Sequence, residues 1–221
     1  MSGTGRRRLP RQVREQQIID AGVRVFSKRG YHAAVVDEIA ELADISKPMV
    51  YLYFGSKEGL FIACIRREGE RLTRGFQEAA SAGKSADEQL WAGLSAFFGY
   101  VAATRDGWVV LYRQAPEQGG EIAAEVRRQR EAVMAAVVEL VRSGASGSGA
   151  LAERGGRDAE FVAHALVGAA DSLTGWMADH PGETPDKVTL RLMNMVWVGM
   201  RNVLDGEVWV PPDGDSSAAG G

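Results

Sequence analysis

Residues 45–60, ISKPMVYLYFGSKEGL, gather the groups of this chain best suited to meeting a base edge or a phosphate. Lys47 carries a cation, Met49 a flexible apolar end, and Tyr51 and Tyr53 two phenols. On a short helix such a set is poor core material. It suits base edges, thymine methyls and phosphate oxygens. Ser46 can accept a hydrogen bond from the free amides of the first turn and reads as the N-cap. Pro48 falls in that first turn, where a missing N–H costs little. Val50 and Phe54 lie four apart and can turn inward together, leaving the polar set for other faces. Directly downstream, Ser56 precedes Lys57, Glu58 and Gly59 and starts another helix. Its free amides and positive end, with Lys57 beside them, suit a phosphate.

The upstream residues supply what must hold this helix in place. Residues 36–43, VDEIAELA, put Val36, Ile39, Ala40 and Ala43 on one stripe at helical spacing. Asp44 and Ile45 then make a turn of about three or four residues, the usual connection in a helix-turn-helix. Asp44 stands where a Gly would most easily take a left-handed conformation, which Asp tolerates at some cost. Before that, residues 12–29 read as a first helix with Ile18, Gly22, Val25 and Phe26 facing inward. Gly30 ends it as a C-terminal glycine cap.

This pattern resembles the tetracycline-repressor-like (TetR) family of bacterial transcription regulators, over roughly residues 12–61. The Gly30-Tyr31 pair, the Ile39-Ala40 pair, the Tyr51-x-Tyr53-Phe54 run and the Ser56-Lys57-Glu58 triplet match the family in order and spacing. Two departures stand out. Ala34 and Val35 occupy positions where the family has Thr-Thr or Thr-Ser, whose hydroxyls cap the second helix and touch a phosphate. Asp44 occupies a position where Gly is usual. The resemblance implies a homodimer that reads a pseudo-palindromic operator with two heads.

Charge distribution agrees with a nucleic-acid reader. The chain of 221 residues carries a net charge of −3. Residues 1–60 hold ten Lys/Arg against seven Asp/Glu, so the excess acid lies in the remainder. A basic head on an acidic body fits a DNA reader with a separate regulatory part. Composition is that of an ordinary globular protein, 45% hydrophobic and 25% charged. A single cysteine, Cys64, excludes an intrachain disulfide framework and suits a reducing cytosol. The first eleven residues, MSGTGRRRLPR, hold no apolar signal core, and no apolar run approaches the ~20 residues that span a bilayer. A cytoplasmic protein without membrane contact is expected.

The rest of the chain reads as helices separated by Gly, Ser and Pro. Breaks fall at Gly83–Ser85, at Arg105–Gly107, at Pro116 and in the SGASGSGA stretch of residues 143–150. That stretch follows no strand and precedes no Gly-Lys-Ser/Thr, so it is no phosphate loop. No segment alternates at period two, so no sheet is expected. Residues 161–177 and 188–204 are apolar on nearly every side. Such helices must be covered on two sides, and a two-fold copy of the pair would make a four-helix bundle.

A ligand cavity is expected between the middle helices and residues 161–177. Its candidate lining is Trp91, Phe98, Trp108, Leu111, Tyr112, Arg113, His164, Asp171 and Trp176. Large aromatics with a few convergent polar groups are typical of pockets, although an aromatic stripe at helical spacing is more often core. His164 and Asp171 lie seven apart on one face of an otherwise apolar helix, where a satisfied core pair is an equal reading. Enzyme readings find little support: His32, His164 and His180 are the only histidines, and neither HExxH nor GxSxG occurs. No cofactor or metal site is expected.

The expected fold is all-α with about nine helices: a basic arm over residues 1–10, a three-helix DNA-binding head over 11–56, a ligand-binding and dimerisation body over 57–210, and a tail over 211–221. The expected function is a DNA-binding repressor released from its operator by a small, mostly apolar effector. An effector-independent or activating DNA-binding dimer is the nearest alternative. A helical enzyme or adaptor without a DNA role is the alternative of another class.

Overall fold

The computed structural model describes residues 10–79, 84–115, 118–145 and 156–204. The basic arm, the Gly/Ser stretch after Ala145 and the C-terminal tail lie outside them. Among the described residues the chain is wholly helical, with nine helices: α1 Arg11–Ala33, α2 Val36–Leu42, α3 Lys47–Phe54, α4 Lys57–Ala79, α5 Ala86–Ala103, α6 Arg105–Trp108 continued by a π-helix over Val109–Gln114, α7 Gly120–Ala145, α8 Gly156–Asp179 and α9 Pro185–Leu204. No helix among them is long and apolar enough to cross a membrane.

The chain divides into two compact units. One holds Met1–Glu78 and Ala96–Ala136, the other Ala79–Ser95 and Val137–Gly221. In the first unit, α1 to α3 close on a core of Ile18, Val25, Phe26, Ile39 and Val50, all buried. Backbone exceptions make the turns. Gly30 takes φ 77° and breaks α1 three residues before its end. Asp44 takes φ 53°, the left-handed geometry anticipated for the turn between α2 and α3. Gly55 takes φ 74° between α3 and α4.

α6 belongs to this same core. Val110, Leu111 and Ala115 are buried with the head residues. The Ala115 amide donates to the Val110 carbonyl five residues back, the hydrogen-bond span of a π-helix. α1 packs on both α6 and its π continuation, and Ser27 of α1 donates a hydrogen bond to Asp106 of α6 at 2.7 Å. The core of the three-helix head is shared with later helices. Its packing runs on through α4, α6 and the first part of α7.

In the second unit, α8 and α9 pack together. α8 buries Ala159, Ala163, Leu166, Ala170 and Thr174, a stripe of mostly small residues at helical spacing. α9 buries Val188, Thr189 and Leu192. Their other faces are open.

Candidate nucleic-acid interface

α3 presents its reading face by burying the opposite one. Val50 is wholly buried, and Phe54 packs partly against the head core. Ser46 stands at the N-cap with extended backbone, but its hydroxyl makes no capping bond. It is exposed, as are Lys47, Pro48 and Tyr51. Of the remaining candidates, Met49 and Tyr53 are half-buried. Tyr53 carries the Arg11 guanidinium 5.5 Å above its ring, which ties the start of α1 to the end of α3.

The two candidate lysines differ. Lys47 Nζ pairs with Asp37 Oδ2 at 2.7 Å, and both side chains are exposed. The hydrogen bond to Asp37, and then its charge, hold the Lys47 ammonium above its ordinary pKa. An exposed pair of this kind is weak, so Lys47 can exchange Asp37 for a DNA phosphate at little cost. Lys57 is turned the other way. Its ammonium donates to the carbonyl of His32 at 3.0 Å and lies 4.9 Å from the Tyr31 ring centroid. Burial lowers its pKa. In the chain by itself these contacts clasp the end of α1 to the start of α4. The His32 carbonyl lies in the last turn of α1, where carbonyls have no helical partner.

The turn from α3 into α4 is fixed tightly. Ser56 Oγ accepts the Gly59 amide at 2.9 Å, the N-cap anticipated from its position. A side chain at Gly59 would collide with the carbonyl oxygen of Phe54. At the start of α2, Val35 provides no capping hydroxyl, as its residue type requires.

Behind the reading helix lie two buried carboxylates that the sequence reading passed over. Glu68 of α4 is wholly buried. Arg67 Nε and Nη2 reach its Oε1 at 2.9 and 2.6 Å, and the Tyr100 hydroxyl donates to its Oε2 at 2.9 Å. Arg67 also bridges to Asp20 on α1. A side chain on Gly107 would stand 2.5 Å from Glu68 Oε2, so the glycine lets α6 approach. Burial, and then the Glu68 charge and hydrogen bond, push the Tyr100 hydroxyl pKa far up, so it stays a donor. Glu125 of α7 takes Arg66 Nη2 at 3.1 Å, Gln129 Nε2 at 2.7 Å and Arg128. Its burial would raise the carboxyl pKa, but the bonds from Arg66, Arg128 and Gln129 outweigh that and hold it at about 2. Each glutamate could have been noticed. Glu68 falls on the apolar stripe of Phe61, Ile65, Leu72 and Phe76, and Glu125 sits beside Ile122 and Val126. A charge on such a stripe needs a buried partner.

The residues of the expected effector lining are divided between the two units. Phe98, Trp108, Leu111 and Tyr112 lie in the first unit. Phe97 meets both Phe98 and Trp108 edge-on, and Trp108 stacks on Tyr112 at 3.8 Å. Phe98, Trp108 and Leu111 are buried, and Leu111 is part of the head core. Trp91 lies in the second unit and is exposed. His164, Asp171 and Trp176 are exposed on α8, because the small-residue stripe is the face that packs inward. Trp176 stacks on His180 at 4.5 Å. The side chain of Arg113 lies outside the described residues.

A buried three-helix head that offers one short helix to solvent defines a helix-turn-helix DNA-binding protein. Comparison with known proteins agrees. The family model for bacterial regulatory proteins of the tetR family matches residues 18–64, and that for the tetracyclin repressor-like C-terminal domain matches residues 86–199. The transcriptional activator FasR of Mycolicibacterium smegmatis is 32% identical over 197 residues, 89% of this chain and 87% of that protein. A TetR-like regulator from Rhodococcus sp. RHA1 shares the fold with a TM-score of 0.71 and 40% identity, over 88% of this chain and 99% of that one. FadR of Bacillus subtilis, solved with stearoyl-CoA, has a TM-score of 0.71 at 21% identity, over 82% of this chain and 96% of that one. The chain belongs to the tetR family of DNA-binding transcription regulators. The family is one of regulators, not of enzymes.

Proposed function

We propose that the chain binds a pseudo-palindromic operator as a homodimer and that a long-chain acyl group, carried as an acyl-CoA, weakens this binding. The exposed face of α3 carries the first half of the reading. Lys47, Pro48 and Tyr51 have no role in the head core and are held outward by buried Val50. The open face of α8 and α9 supports the dimer. Phe161 is 75% exposed and Met195 68% exposed, beside exposed Trp176 and Leu190. Acyl-CoA as the effector class rests on FadR of Bacillus subtilis, whose structure holds stearoyl-CoA. It agrees with the expectation of a mostly apolar ligand with a polar handle.

The effector acts only through a difference in affinity between the DNA-bound and DNA-free states. Helix α4 is the natural lever, since Gly55 and Ser56 join it directly to α3. The sequence favours a repressor. The likeness to FasR, an activator, favours the second reading, in which bound protein raises transcription. Either way the regulator works in the cytoplasm, where its operator lies.

A gel shift with the DNA upstream of its own gene tests the proposal. The expected result is a specific shift that stearoyl-CoA reverses and free CoA does not. Saturating acyl-CoA should also raise the melting temperature, since at 100 times Kd a ligand adds about 2.7 kcal/mol. A shift indifferent to every acyl-CoA chain length would remove the effector from the proposal. Transcript levels in a deletion strain separate repressor from activator: a rise marks the first, a fall the second.

A further inference from the structure

We propose that Leu52 reads the methyl group of a thymine in each operator half-site. Leu52 is 73% exposed, in the middle of α3. It was not among the contact residues expected from the sequence. Pro48 and Leu52 are four apart, as are Lys47 and Tyr51, so these four residues form one continuous outward patch. Lys47 and Tyr51 supply its polar edge. Pro48 and Leu52 supply an apolar strip with no hydrogen-bonding group on either side chain.

The chemistry of the major groove narrows what this strip can meet. Base edges there offer N7, O6 and O4 acceptors, N4 and N6 donors, and one apolar group, the thymine C5 methyl. Leu52 set against a donor or acceptor would strip its water and return no bond. Set against a methyl, both groups leave water and nothing polar is stranded. Leu52 therefore selects thymine by contact with its methyl, while Lys47 and Tyr51 hold the helix in register.

The inference rests on α3 being the reading helix, and the experiment keeps the two apart. Full-length protein is titrated against an operator duplex in which each thymine in turn is replaced by deoxyuridine, which removes the methyl and keeps the pairing. At one symmetric position the wild type should lose roughly fourfold in affinity, the worth of one buried methyl. Leu52→Ala should bind the parent operator more weakly and no longer distinguish thymine from uracil there. Leu52→Gln should shift preference toward adenine at the same position. Leu52 makes no core contact, so both variants should keep the wild-type circular dichroism. Wild-type indifference to every replacement, or an unchanged thymine-to-uracil ratio in Leu52→Ala, overturns the proposal. A further arm replaces each cytosine by 5-methylcytosine. A gain there that vanishes in Leu52→Ala would assign the methyl to a modified cytosine and overturn the thymine reading. If Lys47→Ala and Tyr51→Ala also bind as wild type, α3 itself is not the reader and the interface proposed above fails with it.

Discussion

At the scale of single residues, the head is held by charges placed where apolar groups would ordinarily sit. Glu125 has the clearest consequence. Its carboxyl is held at about 2, below the ordinary range, because three donors outweigh the effect of burial. A depressed carboxylate pKa contributes stability that is fully present above the unfolded pKa near ~4.3 and is lost as pH falls through the folded value. The Arg66 and Arg128 side chains are 54% and 60% exposed, so solvent screens much of the gain. About 1–2 kcal/mol should survive. Glu125→Gln should therefore be less stable than wild type by that amount at pH 7, with the gap closing between about pH 4.5 and pH 2. Urea unfolding midpoints across that range check it. A gap that persists at pH 2 would point to a lost packing contact and not to the charge. Lys47 illustrates a different economy. Its partner Asp37 lies within the same head, so the cation is neutralised until DNA competes for it. Lys47→Ala should reduce the slope of log affinity against log salt by about one.

At the scale of elements, the junction of α3 with α4 matters most. Three features fix it: Gly55 at positive φ, the Ser56 cap, and Gly59 against the Phe54 carbonyl. Gly59→Ala should force that carbonyl aside and tilt α3. Overpacking of this kind costs about 1–3 kcal/mol. Operator affinity should fall further than stability does, since reading tolerates less displacement than folding; melting and gel shift on one sample compare the two. A variant with lowered melting and wild-type affinity would place the strain elsewhere. Of this junction the Ser56 cap was legible in the sequence, as were the Gly30 and Asp44 turns upstream of it. Gly30, Asp44 and Ser56 each stand where only certain backbone geometries are affordable, and each residue type signals its geometry. The stripe of Val36, Ile39, Ala40 and Ala43 was equally plain, because one face of a short helix meets one core. Other features were not legible, for physical reasons. The short run VVLYRQ after Trp108 cannot distinguish a 3.6-residue turn from the wider π turn. The bond from Lys57 to the His32 carbonyl spans 25 positions, and no local pattern encodes it. Glu68 meets Tyr100 across 32 positions, and no local pattern encodes that distance. Leu52 was passed over because an apolar residue on a helix is ordinarily assigned to the core.

At the scale of the molecule, the question is what covers α8 and α9. The sequence says both are apolar nearly all round, but not which side is already covered. The structure resolves this for the single chain. On α8 the buried stripe is Ala159, Ala163, Leu166, Ala170 and Thr174, and the open side carries Phe161, Gly168, Gly175 and Trp176. His164 and Asp171 lie on that open side too. Among the described residues, a side chain added at Gly168 or Gly175 would meet nothing within 4 Å. Both glycines leave room for close approach on that side. Large exposed apolar groups flanking small residues mark a surface built for contact. A second copy of the same pair would satisfy it with closed two-fold symmetry, and the proposed operator with two half-sites calls for two chains. Light scattering at micromolar concentration should give about twice the chain mass. Gly168→Glu should fold, because its site is open in the single chain, and should run as a monomer, because a buried unpaired charge in the interface costs about 3–5 kcal/mol. Its affinity for a full operator should drop toward that of wild type for a half-site. A Gly168→Glu chain that stays dimeric at the same concentration would move the interface off this face, whatever the head then does with DNA.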